Sequence, residues 1–306
     1  MERELDADGG PDRAREFERH RTMLVGVAYR VLGSISDAED VVQETWLRWS
    51  TTDRAAVREP RAFLATMTSR LALNALRSQR NRREAYAGPW LPEPVLTRDL
   101  EPGAESDPSE SVLLAESVSL AFLVVLESLC PLERVAFVLH DVFGFDHAEV
   151  AGAVDRSEAA VRQLTSRARR HVQERRPRAV ADAAEHSRVT EAFMRAAVGG
   201  DVQELLAVLA PDVVVVTDGG GATKAALRPI RGADKAARFL AAISRDTPGV
   251  RWEPVSMNGR GGVLVHLGDA LLGTVDVDAA DGRVSTIRAQ LNPAKLSGVR
   301  SGTVGD

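Results

Sequence analysis

Arginine in two clusters, and acid along one helical stripe, are the side chains of this sequence whose type and spacing could do chemistry. Arg61 to Arg83 holds six Arg and no acidic residue, and Arg156 to Arg178 holds eight Arg against Glu158 and Glu174. Guanidinium forks bind phosphate and the acceptor edge of guanine, so these blocks point to nucleic acid. Lys occurs only at 224, 235 and 295, and a GC-rich genome also accounts for that choice of Arg. Asp40, Gln43 and Glu44 recur at helical spacing, and they either offer acceptors to a basic partner or form a solvated acidic face. Acid/base work has three candidates, Asp218, His266 and Asp269, but His266 sits in Val-Leu-Val-His-Leu and reads as a sheet residue. The six His residues, at 20, 140, 147, 171, 186 and 266, show no metal-ligand spacing, and a lone Cys130 excludes an internal disulfide or Cys-based cluster. Neither a catalytic set nor a cofactor or metal site is expected.

Such residues need scaffolds to hold them. At 306 residues and 44% hydrophobic side chains, the chain is long enough for two or three domains with real cores. Apolar runs such as Leu120 to Leu126 fall far below the ~20 residues that span a bilayer, and MERELDADGG is no signal peptide. A soluble, cytoplasmic protein without a membrane partner is the expectation. The net charge of −5 argues mildly against nucleic acid, but it averages over unlike segments. Tyr86 to Glu110 carries six acidic residues, one Arg and five Pro, which predicts an extended linker. From Ala179 onward 14 basic residues balance 15 acidic ones, and Val-rich runs with Gly turns announce a third domain.

Helices must carry the Arg blocks. Ser36-Asp37-Ala38-Glu39 has the form of a capping box, which predicts a helix to about Trp49 with Val42, Trp46 and Trp49 turned to the core. Phe63 to Arg77 continues with helical spacing and ends in Arg77, Arg80, Arg82 and Arg83, more positive charge than a helix dipole requires. Pro131 opens a helix through His140, and Asp146 caps His147 to Ala153. After a turn at Val154-Asp155-Arg156, Ser157 caps a helix to about Val172. That is a helix-turn-helix. Val161, Leu164 and Ala168 point inward, while Arg156, Ser157, Glu158, Arg162, Gln163, Ser166, Arg169 and Arg170 are left as readers of bases or phosphates. A plain protein-binding module of the same shape is the alternative.

DAEDVVQETWLRW, Asp37 to Trp49, resembles the polymerase-binding helix of sigma region 2, and Phe145 to Arg170 resembles the region 4 helix-turn-helix of extracytoplasmic-function sigma factors. The resemblance implies that Asp37, Asp40, Gln43, Glu44 and Trp46 meet the clamp helices of the largest subunit of core RNA polymerase, and that region 4 meets the beta flap. It also implies that the stretch from Trp49 to Arg83, with Asn74, Arg77, Arg80, Arg82 and Arg83, opens and reads the minus 10 promoter element. In that picture the Ser50 to Pro60 loop holds a flipped base and region 4 reads the minus 35 element.

The C-terminal pattern is α+β: helices near His186 to Val198 and Ala233 to Ser244, strands from Asp212, Val250, Val263, Leu271 and Arg283, and a hairpin at Asp281-Gly282. It resembles a SnoaL-like cone. Trp90-Leu91-Pro92-Glu93-Pro94, Asp218-Gly219-Gly220-Gly221 and Asn292-Pro293-Ala294-Lys295-Leu296 resemble motifs of the sigma factors that carry such a domain and are governed by it in cis. This chain departs from that pattern with Ala222 directly after the glycines and Ala294 in the last motif. The expected architecture is multidomain: two all-α sigma domains, a region 2 bundle at 17–85 and a region 4 helix-turn-helix at 111–178, then an α+β SnoaL-like cone at 179–296. The linker is placed at 86–110, with flexible ends at 1–16 and 297–306. Cones of this kind include cyclase- and isomerase-type enzymes, and a cone that senses a small apolar ligand and a purely structural one both remain open. A polymerase-independent helix-turn-helix regulator is the other alternative.

Overall fold

The computed structural model describes residues 10–53, 57–84, 86–99, 118–175 and 183–300. These form two compact units, one of residues 10–53, 57–81 and 126–174, the other of 82–84, 86–99, 118–125, 175 and 183–300.

The first unit is helical. Helix α1 (Gly10–Leu32) starts ahead of the expected domain edge. It stops at Gly33, whose φ of 69° lets its amide reach Tyr29 O at 2.7 Å. Helix α2 (Ile35–Thr51) then begins at once, so its N-cap is Ser34, accepting from Asp37 N at 3.1 Å, and not the expected Ser36. Helix α3 (Pro60–Glu84) completes the bundle around Leu24, Val27, Val42, Trp49, Leu64 and Leu73. Full burial of such side chains is worth about 1.5–3 kcal/mol each.

Helix α4 (Leu120–Glu127), which belongs to the second unit as far as Val125, leads to α5 (Pro131–Phe137), which widens into a π turn over Val138–Val142. Helix α6 (His147–Val154) carries a complete capping box between Asp146 and Glu149. The turn to α7 (Glu158–Arg175) places Asp155 at φ 53°, a left-handed position that Asp tolerates. Within this unit three arginines join the two sets of helices. Arg134 donates to Val31 O at 2.7 Å, Arg61 to Phe143 O at 2.8 Å, and Arg70 to Gly152 O at 2.6 Å.

The second unit is a six-stranded sheet under three helices. Its elements are α8 (Ala183–Gly199), α9 (Val202–Val208), β1 (Leu209–Asp218), β2 (Ile230–Arg231), α10 (Ala233–Asp246), β3 (Val250–Met257), β4 (Arg260–Leu267), β5 (Ala270–Ala280) and β6 (Arg283–Gln290). The strand order is β2-β1-β6-β5-β4-β3, antiparallel except for the β1–β6 pair. Helix α9, capped by Asp201, and the short β2 escaped the sequence reading. Asp281-Gly282 forms the expected tight turn, with φ of 52° and 69°, and Asn258-Gly259 forms another of the same kind.

Side chains alternate across the sheet. One face, with Val213, Val215, Val263, Val277 and Ile287, is filled by Phe193, Leu205 and Ala237 from the helices. The other carries Asp218, Gln290, Asp276 and Arg288, all buried. Beyond β6, where a flexible tail was expected from 297, Ser297–Arg300 forms a helical turn, α11, with Val299 fully buried, and 301–306 lie outside the described residues.

Candidate functional site

The acidic stripe of α2 divides by what each side chain touches. Asp40 and Gln43 are exposed, and Glu44 is half-buried and pairs with Arg48 at 2.8 Å. Leu47, one turn on, is 54% exposed, an apolar group on the same stripe that residue type alone did not flag. Asp37 is different: it accepts from Gln79 Nε2 at 2.7 Å and ties α2 to α3. Trp46 packs on Phe17 with ring centroids 5.1 Å apart.

Along α3, Asn74 and Arg77 are both exposed and lie three residues apart, while Arg80, Arg82 and Arg83 follow on the last turns of the helix. Trp49, counted among the residues that meet DNA, is instead a core residue at 1% exposure, its indole donating to Arg13 O at 3.2 Å. A large ring at the end of an amphipathic stripe is best placed under its neighbours.

The helix-turn-helix presents the row that was expected. Arg156, Ser157, Glu158, Arg162, Gln163, Ser166, Arg169 and Arg170 are all exposed, and Val161, Leu164 and Ala168 are buried. Ser157 accepts from Ala160 N at 3.3 Å as the cap of α7. Two of these side chains are held by carboxylates: Arg162 by Glu158 at 2.7 Å, and Arg169 by Asp141 of the π turn. Phosphate oxygens could replace those carboxylates.

The most tightly built site lies in the second unit. Asp218, with no exposed surface, receives Tyr86 Oη at 2.5 Å, Leu91 N at 2.8 Å, Lys295 Nζ at 2.7 Å and Gly220 N at 3.1 Å. Three segments meet on one carboxylate. Lys295 also donates to Leu91 O at 2.8 Å and sits 3.9 Å from the Trp90 ring centroid, a cation over an aromatic face. Gln290 donates to Leu91 O at 3.3 Å, and Asn292 Nδ2 to Tyr86 Oη at 2.8 Å. Burial, and the bond to Asp218, raise the Tyr86 phenol well above its ordinary range. The glycines have a steric reason. A Cβ on Gly220 would lie 2.2 Å from Asn292 Nδ2, and one on Gly219 2.4 Å from Thr223 O.

Leu91, Pro92, Glu93, Pro94, Val95 and Leu96 are buried, so this stretch of the linker is packed rather than solvated, while the expected linker residues from 100 to 110 lie outside the described residues. Farther on, Val95 N donates to Asn258 Oδ1 at 3.0 Å, Asn258 N to Val95 O at 2.9 Å, and Leu96 bridges Met257 at the end of β3. This is a single β-bridge at the edge strand of the sheet, flanked by the Asn258 contacts. Pro293 and Ala294 are exposed while Lys295 and Leu296 are buried, and Ala222 and Lys224 point to solvent. Tyr86, Gln290 and Asn258 were missed, and only the Asn258-Gly259 turn signal could have drawn attention to one of them.

The acid/base candidates go to separate places. Asp218 serves the linker, His266 is buried with Nε2 3.4 Å from Glu253 Oε2, and Asp269 is exposed at the β4–β5 turn. Beside them Arg288 bridges Asp276, at 2.7 Å, and Asp278. Burial and the charge of Asp278 raise the Asp276 carboxyl, against the pull of Arg288. Among the described residues no helix is long and apolar enough to cross a membrane.

Two helical modules joined by a linker that docks on a cone define a promoter-recognition protein of the sigma class. Residues 17–82 match the family of Sigma-70 region 2, 119–172 that of Sigma-70, region 4, and 190–291 that of the SnoaL-like domain. The chain is 46% identical over 239 residues to the ECF RNA polymerase sigma factor SigJ of Mycobacterium tuberculosis, covering 77% of this chain and 74% of that one. It is 34% identical over 288 residues to the probable ECF RNA polymerase sigma factor SigI of the same species, covering 93% and 95%. The crystal structure of Mycobacterium tuberculosis SigJ superposes with a TM-score of 0.71 at 37% identity, covering 93% of this chain and 98% of that one. The chain therefore belongs to the extracytoplasmic-function family of RNA polymerase sigma factors. Its likeness extends through the SnoaL-like domain.

Proposed function

We propose that this sigma factor binds core RNA polymerase through the Asp40, Gln43 and Glu44 stripe on the clamp helices of the largest subunit, and through region 4 on the beta flap. Region 4 reads the minus 35 element with the exposed row of α7, and region 2 opens the minus 10 element with the basic end of α3. These roles place its work in the cytoplasm.

The cone acts in cis. The observation that carries this reading is the carboxylate of Asp218, which gathers Tyr86, the Leu91 amide and Lys295 into one buried cluster. The linker joins region 2 to region 4, so its docking onto the cone shortens the chain available to spread the two modules along a promoter. Clasped, the protein is restrained; released, it can reach both elements. An enzymatic cone has less support, because the face beneath the helices is packed with apolar side chains.

Run-off transcription from fragmented genomic DNA with core polymerase tests this reading. Core-dependent, promoter-specific transcripts are expected with the full chain. No transcript beyond that of core alone would defeat the sigma assignment of the two modules.

A further inference from the structure

His147 opens the first helix of the helix-turn-helix, and its ring lies on that of His140 with centroids 4.0 Å apart and planes at 37°. His140 belongs to the π turn, a widened segment of the kind that recurs at functional positions, and its Nδ1 faces Phe145 O at 2.7 Å. A carbonyl only accepts, so that nitrogen carries the hydrogen and the ring is fixed as a platform for His147.

Recognition helix α7 supplies the rest of the surroundings. Arg162 and Arg169 bring positive charge toward His147, and Glu158 opposes them. Both arginines are occupied in the free chain, Arg162 with Glu158 and Arg169 with Asp141. On the helix of His147 itself, Asp146 and Glu149 are spent on each other's backbone amides in the capping box. The half-exposed imidazole thus feels the charge of two arginines that suit phosphate, at the end of the helix that crosses the DNA backbone in this motif.

We propose that His147, seated on His140, is a proton-linked phosphate contact: it binds the DNA backbone as imidazolium and takes up a proton when the duplex arrives. The inference rests on region 4 being the duplex-binding module. Partial desolvation, followed by His140, Arg162 and Arg169, lowers the free imidazole below its ordinary range. A phosphate beside it supplies the missing anion and draws Arg162 and Arg169 to itself, so the bound imidazole titrates higher. Affinity then rises as pH falls through the interval between the two values, by no more than about tenfold per pH unit for one proton. Above that interval it is flat.

Phosphate contacts do not read sequence, so a labelled 30-base-pair duplex of random sequence is a sufficient probe. Anisotropy titrations of the full chain at fixed ionic strength should show about threefold or more tighter binding at pH 6.0 than at pH 7.5. His147→Gln should lose most of that gain while keeping its affinity at pH 7.5, and His147→Arg should bind tightly at both pH values. Calorimetry in two buffers of different ionisation heat should report proton uptake by the wild type and less by His147→Gln. An unchanged pH response in His147→Gln overturns the inference and leaves region 4 as the duplex binder. Failure of the wild type to bind duplex at any pH overturns both.

Discussion

Lys295 and Asp218 form a buried ion pair at 2.7 Å, 9% and 0% exposed at their side chains, closed over by Tyr86 and Trp90 from the linker. A pair taken out of water gains little over a hydrophobic replacement, yet removing one partner leaves the other charge uncompensated, at about 3–5 kcal/mol. Such a contact suits a switch. It is firm when complete and fails as a whole when one element is withdrawn.

Asp218→Asn should therefore release the linker before it unfolds the cone, whose apolar core lies on the other face of the sheet. Amide exchange at Leu91 and Val95 is expected to accelerate by about 100-fold or more, the equivalent of about 3 kcal/mol, with exchange in β5 and β6 little changed. Uniform acceleration across the sheet would mean that Asp218 serves the fold and not the clasp.

Tyr86 gives the clasp a pH dependence whose sign follows from its raised phenol. The docked linker holds the neutral form, so the contribution of Tyr86 is complete below the phenol's usual value near 10 and declines as pH rises toward its higher docked value. Tyr86→Phe should lose about 1–3 kcal/mol of docking at neutral pH, because Asp218 loses a donor. Exchange at the Leu91 amide, followed against pH in both chains, should show the alkaline loosening diminished in the variant.

On α2 the stripe should separate into two kinds of residue. Asp40→Ala with Gln43→Ala is expected to weaken binding to core polymerase about tenfold or more without altering the helical circular dichroism or duplex binding. Asp37→Ala should instead cost about 1 kcal/mol of stability through the lost Gln79 bond, with core affinity kept within about twofold. Titration of labelled protein with core polymerase, beside thermal melts, distinguishes the two.

Region 2 and region 4 are held together by Arg61 and Arg70, which donate to the carbonyl of Phe143 just before the helix-turn-helix and to that of Gly152 within it, where phosphates would otherwise compete for them. Phe143 is central: its ring faces Arg30 at 5.1 Å, and a Cβ on Gly26 would approach it to 3.1 Å. Phe143→Ala or Gly26→Val should loosen this packing and free both arginines. The slope of log affinity for duplex against log salt should then steepen by about 2, as two more phosphates are neutralised. An unchanged slope in both variants would show that the arginines stay where they are.

Much of this is legible in the sequence itself. The helix-turn-helix follows from Asp146 and Ser157 as caps and from inward Val161, Leu164 and Ala168, because local hydrogen bonds and periodicity decide it. The clasp was legible only in part. Trp90 to Pro94, Asp218 and Lys295 were visible through a resemblance, whereas Tyr86, Gln290 and Asn258 contribute through contacts more than 130 residues apart, which no local pattern encodes. The cap of α2 was misplaced from Ser34 to Ser36 because both serines fit a capping pattern, and only the turn at Gly33 decides between them. Trp49 was given to DNA although its helical position already put it in the core.

Promoter output with and without the clasp tests the central claim most directly. Run-off transcription with core polymerase, comparing the full chain with Asp218→Asn at equal occupancy of the polymerase, should give several-fold more promoter-specific transcript from the variant. Equal or lower output from Asp218→Asn, with exchange at Leu91 showing that the linker has been released, would contradict restraint by the cone.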